Sequence, residues 1–180
     1  GKKVLLKGIA NHHTLGALGA AAYPRAMEKR IQMLRDFGFN HIRTSHNPYS
    51  TSFLDLCDQY GIYVTAEANQ ESHAFQYSND QSTPVAQPEF AKQIMERNQH
   101  NVEMQFNHPS IIVWSLGNET DNSNNFLAAY NWIKQTDTSR PVQFERSIWQ
   151  GPHDTDIFCP MYYAVQECEK YSKDPTKTMP

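Results

Sequence analysis

Short apolar runs alternate along the chain with longer segments in which apolar residues recur every three or four positions. The short runs have the length and composition of β-strands, and the longer segments have the spacing of amphipathic helices. Six strands are predicted, at residues 4–9, 41–45, 62–68, 111–116, 141–144 and 157–161. The fourth run is apolar almost throughout, as expected of a parallel strand that is buried on both faces.

Four helices are predicted between these runs. The first begins at Pro24 and stops at the next glycine, and its apolar positions are Met27, Ile31, Leu34 and Phe37. The second runs from Ser52, which forms a capping box with Asp55, to Tyr60. The third begins near Pro88, with candidate core positions Phe90, Ile94, Val102 and Phe106. The fourth carries Phe126, Tyr130 and Ile133.

Strands that alternate with helices predict right-handed βαβ units and a parallel sheet, either a doubly wound open sheet or a (β/α)8 barrel. No glycine-rich phosphate loop opens the first helix, which disfavours a nucleotide-dependent α/β enzyme. Polar groups follow nearly every strand: Asn11, His12, His46, Glu67, Asn69, Asn118, Glu119, Glu145 and Tyr162. Barrel enzymes build their sites at these strand ends. Because a complete barrel has about 250 residues, we predict a TIM barrel truncated to about six strands.

Composition excludes several classes of partner. The 180 residues carry a net charge of −3 with a pI near 6.2, and the basic residues are scattered. Neither a nucleic acid nor a membrane is therefore an expected partner. No apolar stretch approaches the roughly 20 residues of a membrane span. Since Gly1 leads almost directly into an apolar run, no secretory leader is expected. A bacterial cytoplasm and a periplasm both remain open.

The cysteines predict neither a zinc site nor a disulfide framework. Cys57, Cys159 and Cys168 are widely separated and lie in or near apolar runs. Such spacing matches no common metal-binding pattern. We expect three buried free thiols.

Glu119 is the sharpest chemical feature of the sequence. An apolar strand leads directly into Gly-Asn-Glu at residues 117–119, which places one carboxyl group at the rim of a pocket that holds little water. Burial raises the pKa of a carboxyl group, as a general acid near neutral pH requires. A carboxylate that stabilises the N-terminus of the following helix is the alternative interpretation.

Residues 114–119 (Trp-Ser-Leu-Gly-Asn-Glu) resemble the acid/base signature of glycoside hydrolase family 2, and further motifs follow in that family's order. They are 42–48 (Ile-Arg-Thr-Ser-His-Asn-Pro), 56–61 (Leu-Cys-Asp-Gln-Tyr-Gly), 67–73 (Glu-Ala-Asn-Gln-Glu-Ser-His), 107–110 (Asn-His-Pro-Ser) and 159–162 (Cys-Pro-Met-Tyr). The likeness spans nearly the whole chain and points to the β-galactosidases of the family. It implies that residues 1–180 are strands one to six of a catalytic barrel, without strands seven and eight and without flanking β-sandwich domains.

The resemblance also implies roles for individual residues. Glu119 is expected to protonate the glycosidic oxygen of a terminal β-D-galactosyl group and later to deprotonate water, as in retaining enzymes. The residues expected to bind the sugar or to orient the nucleophile are Asn118, His46, His12, Arg43 and Tyr162. The first three contact sugar hydroxyls, and the last two hold the nucleophilic carboxylate. That nucleophile is expected beyond Pro180, so the chain alone is expected to be inactive. Glu145 is expected to lie behind the site.

A magnesium site is a further expectation. Glu71 and His73 are two residues apart in an extended segment, so their side chains share a face. With Glu119 they resemble the Mg²⁺ ligands of β-galactosidases, although Ala66 and Ala74 replace the family's usual Asp and Gly. A pair of solvated loop side chains is the alternative.

Several interpretations of the function stay open at this stage. The Gly-Asn-Glu triplet, the Glu71 and His73 pair and the loop at residues 15–19 favour a β-galactosidase over a β-glucuronidase or a β-mannosidase. A sugar-binding barrel fragment without catalytic activity is the alternative from another class. Six strands cannot close a barrel of eight, so the remainder of the parent chain or a second copy is an expected partner.

Overall fold

Five short parallel strands, each hydrogen-bonded to the next in chain order, form the framework of the molecule. The computed structural model describes residues 2–21, 23–75, 82–148 and 152–174. In these ranges the strands are β1 (Gly8–His12), β2 (His41–Ser45), β3 (Tyr63–Glu67), β4 (Ile111–Ser115) and β5 (Val142–Gln143). A doubly wound sheet reverses its strand order at a switch point, and this sheet does not. Its order is that of a (β/α)8 barrel, as predicted.

The described ranges contain five α-helices: α1 (Pro24–Asp36), α2 (Thr51–Tyr60), α3 (Ala91–Gln105), α4 (Asn124–Thr136) and α5 (Val165–Lys173). The side chain of Ser50 caps α2 by accepting the N–H of Phe53, and Gly61 ends the helix with a φ of 67°. The predicted capping box of Ser52 and Asp55 is therefore wrong, because the cap lies two residues earlier. Within the described part of the chain, no helix combines the length and the apolar character needed to cross a bilayer.

The core lies between the sheet and the inner faces of the first four helices. Its buried members include Met27, Ile31, Phe53, Leu54, Val64, Ile94, Val102, Trp114, Phe126 and Ile133. The rings of Phe126 and Phe144 stack with their centroids 4.6 Å apart, which joins α4 to the end of β5. Each fully buried side chain of this kind stabilises the fold by about 2 kcal/mol. The helical periodicity in the sequence therefore identifies the core positions that α1, α3 and α4 contribute, and the apolar strands supply much of the rest.

Three aromatic residues at predicted apolar positions of the helices are exposed, two of them (Phe90 and Phe106) against the prediction that they lie in the core. Phe37 is 78% exposed, Phe90 39% and Phe106 37%. Phe37 and Phe106 are the C-cap residues of their helices, and Phe90 precedes α3 in a single 3-10 turn, so all three lie outside the regular helical face. The inner face of α3 is partly polar, and the side-chain amide of Asn101 donates to the carbonyl of Ala66 in β3 at 3.1 Å.

The sixth predicted strand is wrong, since residues 157–161 form no strand in the structure. Residues 155 and 156 contact β5 where a neighbouring strand would pair, through a single backbone bond from the Asp156 N–H to the carbonyl of Val142 at 2.7 Å and through two side chains. The carboxylate of Asp156 accepts the N–H of Val142 at 2.8 Å, and the hydroxyl of Thr155 accepts the N–H of Phe144 at 3.0 Å. Because these donors are already satisfied, the next segment adds no ladder here. It leads instead to α5, a helix that the sequence pattern did not predict.

The first strand begins later than predicted, at Gly8 rather than at residue 4. The side chain of Asn40 accepts the N–H of Lys7 at 2.7 Å and donates to the carbonyl of Leu5 at 3.0 Å. The side chain of Asn40 therefore binds the backbone of residues 5 and 7, where a partner strand would otherwise bind. The side chain of Leu5 is 69% exposed.

The free cysteines differ in burial. Cys57 is buried, Cys159 is partly buried and Cys168 is exposed on α5. The expectation of a buried thiol is therefore wrong for Cys168. Burial raises the pKa of the Cys57 and Cys159 thiols to about 12, so both stay protonated at neutral pH.

Asp137 joins β4 to the loop after α4. Its buried carboxylate accepts the indole N–H of Trp114 at 2.8 Å, a guanidinium N–H of Arg140 at 2.9 Å and the backbone N–H of Ser139 at 2.9 Å. Burial alone would raise the pKa of Asp137, but the hydrogen bonds from Ser139, Trp114 and Arg140 outweigh it and hold the pKa well below its ordinary value. In the unfolded chain the pKa returns to that value. The carboxylate therefore stabilises the fold at neutral pH, and this contribution is lost as the pH falls below about 4.

The substitution Asp137→Ala is expected to lower the free energy of unfolding by about 3 kcal/mol at pH 7, because it leaves buried donors without an acceptor. The loss relative to wild type should shrink below pH 4. Urea unfolding followed by tryptophan fluorescence measures both effects. Asp36→Ala, at an exposed position on α1, is the matched control. An equal loss in the two variants, or a loss that does not change with pH, would contradict this role for Asp137.

Candidate active site

The carboxyl ends of the strands bring polar side chains together at one edge of the sheet. Arg43 and His46 come from β2 and its end, Glu67 from β3, and Glu119 from the turn after β4. Parallel strands place their carboxyl ends at the same edge, which is why residues distant in sequence meet here.

Glu67 binds side chains from both neighbouring strands. Its buried carboxylate accepts from Arg43 Nε at 2.5 Å, from His46 Nδ1 at 2.5 Å and from the hydroxyl of Ser115 at 2.7 Å. The backbone N–H of Glu67 is also held by the hydroxyl of Thr44 at 3.0 Å. One buried anion therefore fixes side chains of β2, β3 and β4 relative to one another.

Arg43 connects this carboxylate to Asn118. A second guanidinium nitrogen donates to Oδ1 of Asn118 at 3.0 Å, and Nδ2 of Asn118 in turn donates to Glu71 Oε1 at 3.1 Å. Burial alone would lower the pKa of Arg43, but the carboxylates of Glu67 and Glu145 outweigh it and raise the pKa, so the guanidinium stays charged. The orientation of the Asn118 amide is therefore set by partners on both sides.

Glu119 is held at three points. Its backbone N–H donates to Glu145 Oε1 at 2.6 Å, its Oε1 accepts the hydroxyl of Tyr162 at 2.5 Å, and its Oε2 contacts Nδ1 of His73. The side chain of Glu119 is 8% exposed. Tyr162 is 84% exposed, so its hydroxyl, rather than burial of its ring, joins it to the site. Glu119 is therefore a largely buried carboxyl group at the rim of the site.

Both ends of the contact between Glu119 and Tyr162 have left-handed backbones. Glu119 has a φ of 37° and Tyr162 a φ of 61°, and among the described residues no other non-glycine residue has a positive φ. Such a conformation costs about 1–3 kcal/mol per residue and persists where the surroundings determine it. The strain in this part of the chain is thus concentrated at the two residues that form the contact.

Gly117 allows the loop after β3 to approach the end of β4. A Cβ atom at this position would lie 2.7 Å from the carbonyl oxygen of Gln70, too close for any side chain. The N–H of Asn118 donates to the same carbonyl at 2.8 Å, and a bridge joins Asn118 to Glu71. The glycine of the Gly-Asn-Glu triplet is therefore required for the loop that carries Glu71 and His73 to reach Glu119.

Glu71, His73 and Glu119 form a cluster of metal-ligating groups. One ligand atom from each lies within 4.8 Å of the others. His73 Nδ1 is 3.8 Å from Glu71 Oε1, and the side chains of His73 and Glu71 are 67% and 41% exposed. The cluster thus offers two carboxylates and an imidazole to a metal ion and is open to solvent on one side, and the magnesium site stays a prediction.

Glu145 is buried behind Glu119, as the sequence predicts for this residue. Burial raises the pKa of Glu145 to about 7, although the nearby guanidinium of Arg43 acts in the opposite direction. The contact with the backbone of Glu119 was not predicted, because nothing local in the sequence indicates which N–H a strand-end carboxylate will bind.

The predicted site residues fall into two groups. The structure brings together Glu119, Asn118, Arg43, His46, Tyr162, Glu71 and His73 through the contacts described above. His12 lies at the edge, with its ring 5.4 Å from that of His46 and perpendicular to it. The contacts to sugar hydroxyls stay a prediction, and so does the role of Arg43 and Tyr162 toward a nucleophilic carboxylate. Sequence reasoning noted Glu67 as a strand-end group and as the first residue of the motif at 67–73 but gave it no role, although a charged residue in a buried strand was the available signal.

Comparison with known proteins agrees with this geometry. Residues 1–179 match the family model described as glycosyl hydrolases family 2, TIM barrel domain. The chain is 41% identical, over 180 aligned residues, to a β-galactosidase of Photobacterium profundum, and the match covers 98% of this chain and 17% of that protein.

Two solved structures extend the comparison. The glycosyl hydrolase family 2 member from Bacteroides cellulosilyticus DSM 14838 has a TM-score of 0.65 and 38% identity, covering 79% of this chain and 19% of that chain. The GH2 β-galacturonidase from Eisenbergiella tayi bound to galacturonate has a TM-score of 0.62 and 30% identity, covering 79% and 25%. The chain thus spans between about a sixth and a quarter of the length of these relatives. It belongs to glycosyl hydrolase family 2, as part of the TIM barrel domain.

Proposed function

We propose that this chain is the part of a retaining β-galactosidase barrel that carries the general acid/base, Glu119. The observation that carries the proposal is the position of the Glu119 carboxyl group. It is largely buried, bonded to Tyr162 and His73, and located at the edge of the sheet where Arg43 and His46 are held. The complete protein would hydrolyse terminal β-D-galactosyl bonds by double displacement.

In the first step Glu119 would protonate the glycosidic oxygen, and in the second it would deprotonate the water that attacks the glycosyl-enzyme. A carboxyl group in these surroundings is suited to both tasks, because it is shielded from bulk water and has hydrogen-bonding partners on both oxygens. Asn118, with its amide oriented by Arg43, would bind the sugar 2-hydroxyl. His46 and His12 would bind other hydroxyls.

The nucleophile would come from a segment outside these residues. Retaining glycosidases need a second carboxylate about 5–5.5 Å from the first. Glu67 is occupied by three side-chain donors, and Glu145 binds the backbone of Glu119, so neither is presented to a substrate. We propose that Arg43 and Tyr162 orient the missing carboxylate, and that the remainder of the parent chain or a second copy completes the barrel.

Mg²⁺ would bind to Glu71, His73 and Glu119. The support is the close approach of their ligand atoms and the exposure of two of the side chains, which leaves room for bound water. When bound, the ion would supply a fixed positive charge beside the acid/base and so influence its pKa.

The complete protein that contains this chain is expected to hydrolyse nitrophenyl β-galactoside faster than the matching glucuronide, galacturonide or mannoside. Glu119→Gln should lower kcat/KM by about 10²–10⁴, the usual contribution of a general acid. Glu103→Gln, at an exposed position on α3, should leave kcat/KM unchanged.

If the complete protein prefers a glucuronide or a galacturonide, the proposed activity would be that of a uronidase rather than that of a β-galactosidase. Sugar binding without turnover, insensitive to Glu119→Gln, would favour a non-catalytic sugar-binding module. Residues 1–180 alone should show no hydrolysis.

The substitution Glu67→Gln is expected to lower kcat/KM by about 10²-fold, because displacing Arg43 and His46 by even about 1 Å misplaces the substrate. It should also lower the free energy of unfolding by about 3 kcal/mol, since a largely buried guanidinium loses a charged partner. Steady-state kinetics and urea unfolding measure the two effects. Glu96→Gln, in an exposed pair with Lys92, is the control. Wild-type kinetics in the Glu67 variant would show that the network does not position the site.

Mg²⁺ is expected to bind to the complete protein, and His73→Ala should weaken its affinity by roughly 10-fold or more through the loss of one ligand. Isothermal titration calorimetry with MgCl₂ after chelation measures the affinity, and activity after chelation gives a second readout. His100→Ala, at an exposed position on α3, is the matched control. Unchanged affinity in the His73 variant would place the ion elsewhere.

A further inference from the structure

Glu145 approaches Glu119 through the backbone rather than through the side chain. Its Oε1 accepts the Glu119 N–H at 2.6 Å, and both residues are buried, with 4% and 6% exposure. The contact therefore acts on the peptide that carries the acid/base.

The sheet register brings the two residues together. Ser115 in β4 pairs with Gln143 in β5, and the N–H of Leu116 donates to the carbonyl of Gln143 at 3.1 Å. Glu145 follows β5 directly, at the start of a 3-10 turn, and Glu119 follows β4. Parallel pairing thus holds the carboxylate beside the turn after β4.

That turn needs a restraint. The backbone of Glu119 has a φ of 37°, a conformation that residues with a Cβ atom rarely adopt. This backbone conformation directs the carboxyl group of Glu119 toward Tyr162 and His73. Relaxation to an ordinary backbone conformation would turn the carboxyl group away from these partners. A carboxyl oxygen that accepts this N–H at 2.6 Å is a short and directional restraint on the peptide.

We propose that Glu145 is a positioning residue, which holds the Glu119 peptide in its left-handed conformation and so aims the carboxyl group of Glu119 at the glycosidic oxygen. The inference rests on the proposed function, because it assigns Glu145 a part in the same reaction. Glu145 does not touch the substrate and acts through Glu119. The other ionisable acidic and basic groups that face Glu145 are Arg43, Glu67 and Asp154, and the bond between Arg43 and Glu67 does not involve Glu145.

The test compares Glu145→Gln, which retains an acceptor oxygen, with Glu145→Leu, which fills similar space without one. Both are made in the complete protein and assayed, each at its own pH optimum, with aryl glycosides of the sugar that the wild-type protein prefers. Leaving groups range from phenyl to 2,4-dinitrophenyl. A poor leaving group needs proton donation, and an activated one does not.

In the Leu variant, kcat/KM for the phenyl glycoside should fall about 10–100-fold, while that for the dinitrophenyl glycoside falls less than about 3-fold. The Gln variant should stay within about 3-fold for both. Equal losses for the two substrates in the Leu variant would indicate a general structural defect and overturn the proposal. No loss for either would overturn it as well.

A crystal structure of each variant gives a readout that does not depend on activity. The φ of residue 119 should leave the left-handed region in the Leu variant, with loss of the Tyr162 contact, and should be retained in the Gln variant. An unchanged residue 119 in the Leu variant would overturn the proposal. The proposed function fails separately, in the wild-type protein, if it hydrolyses no glycoside or prefers one other than a galactoside.

Discussion

The buried carboxylate of Glu67 is the interaction on which the rest of the site depends. It lies at the end of the central strand of the sheet and binds donors from the strands on both sides. An unpaired charge buried in this position would be strongly destabilising, so the carboxylate and its donors stabilise one another. The same bonds that neutralise the charge also orient Arg43 and His46.

Two chains of contacts extend from this part of the sheet. One runs from Glu67 through Arg43 to Asn118 and Glu71. The other runs from Glu145 to the backbone of Glu119 and from its side chain to Tyr162. They meet at adjacent residues of the turn after β4. The side chains in these two chains of contacts therefore have their directions set by their neighbours, which is the preorganisation that electrostatic catalysis requires.

The order of the strands brings the polar side chains of the site to one edge of the sheet, and the loops determine their final positions. Parallel pairing without reversal of order puts every strand end at the same edge. Close approach at Gly117 then lets the loop after β3 bring Glu71 and His73 beside Glu119. In the described part of the chain, β1 and β5 lie at the two edges of the sheet. The sheet is therefore open on both sides in this part of the chain.

Sequence alone determined the features that depend on local spacing. The apolar periodicity identified four of the helices and the cores of β2, β3 and β4, because burial imposes periods that are visible over a few residues. The sequence also located Glu119 at the end of a buried strand, because the Gly-Asn-Glu triplet follows that apolar run directly. Tertiary structure alone decided where buried polar groups find partners. Thr155 and Asp156 satisfy β5 and exclude a sixth strand, Asn40 delays the first, and Glu145 holds the peptide of Glu119. Such bonds join residues far apart in the chain, and a donor or acceptor carries no local mark of the partner it will meet.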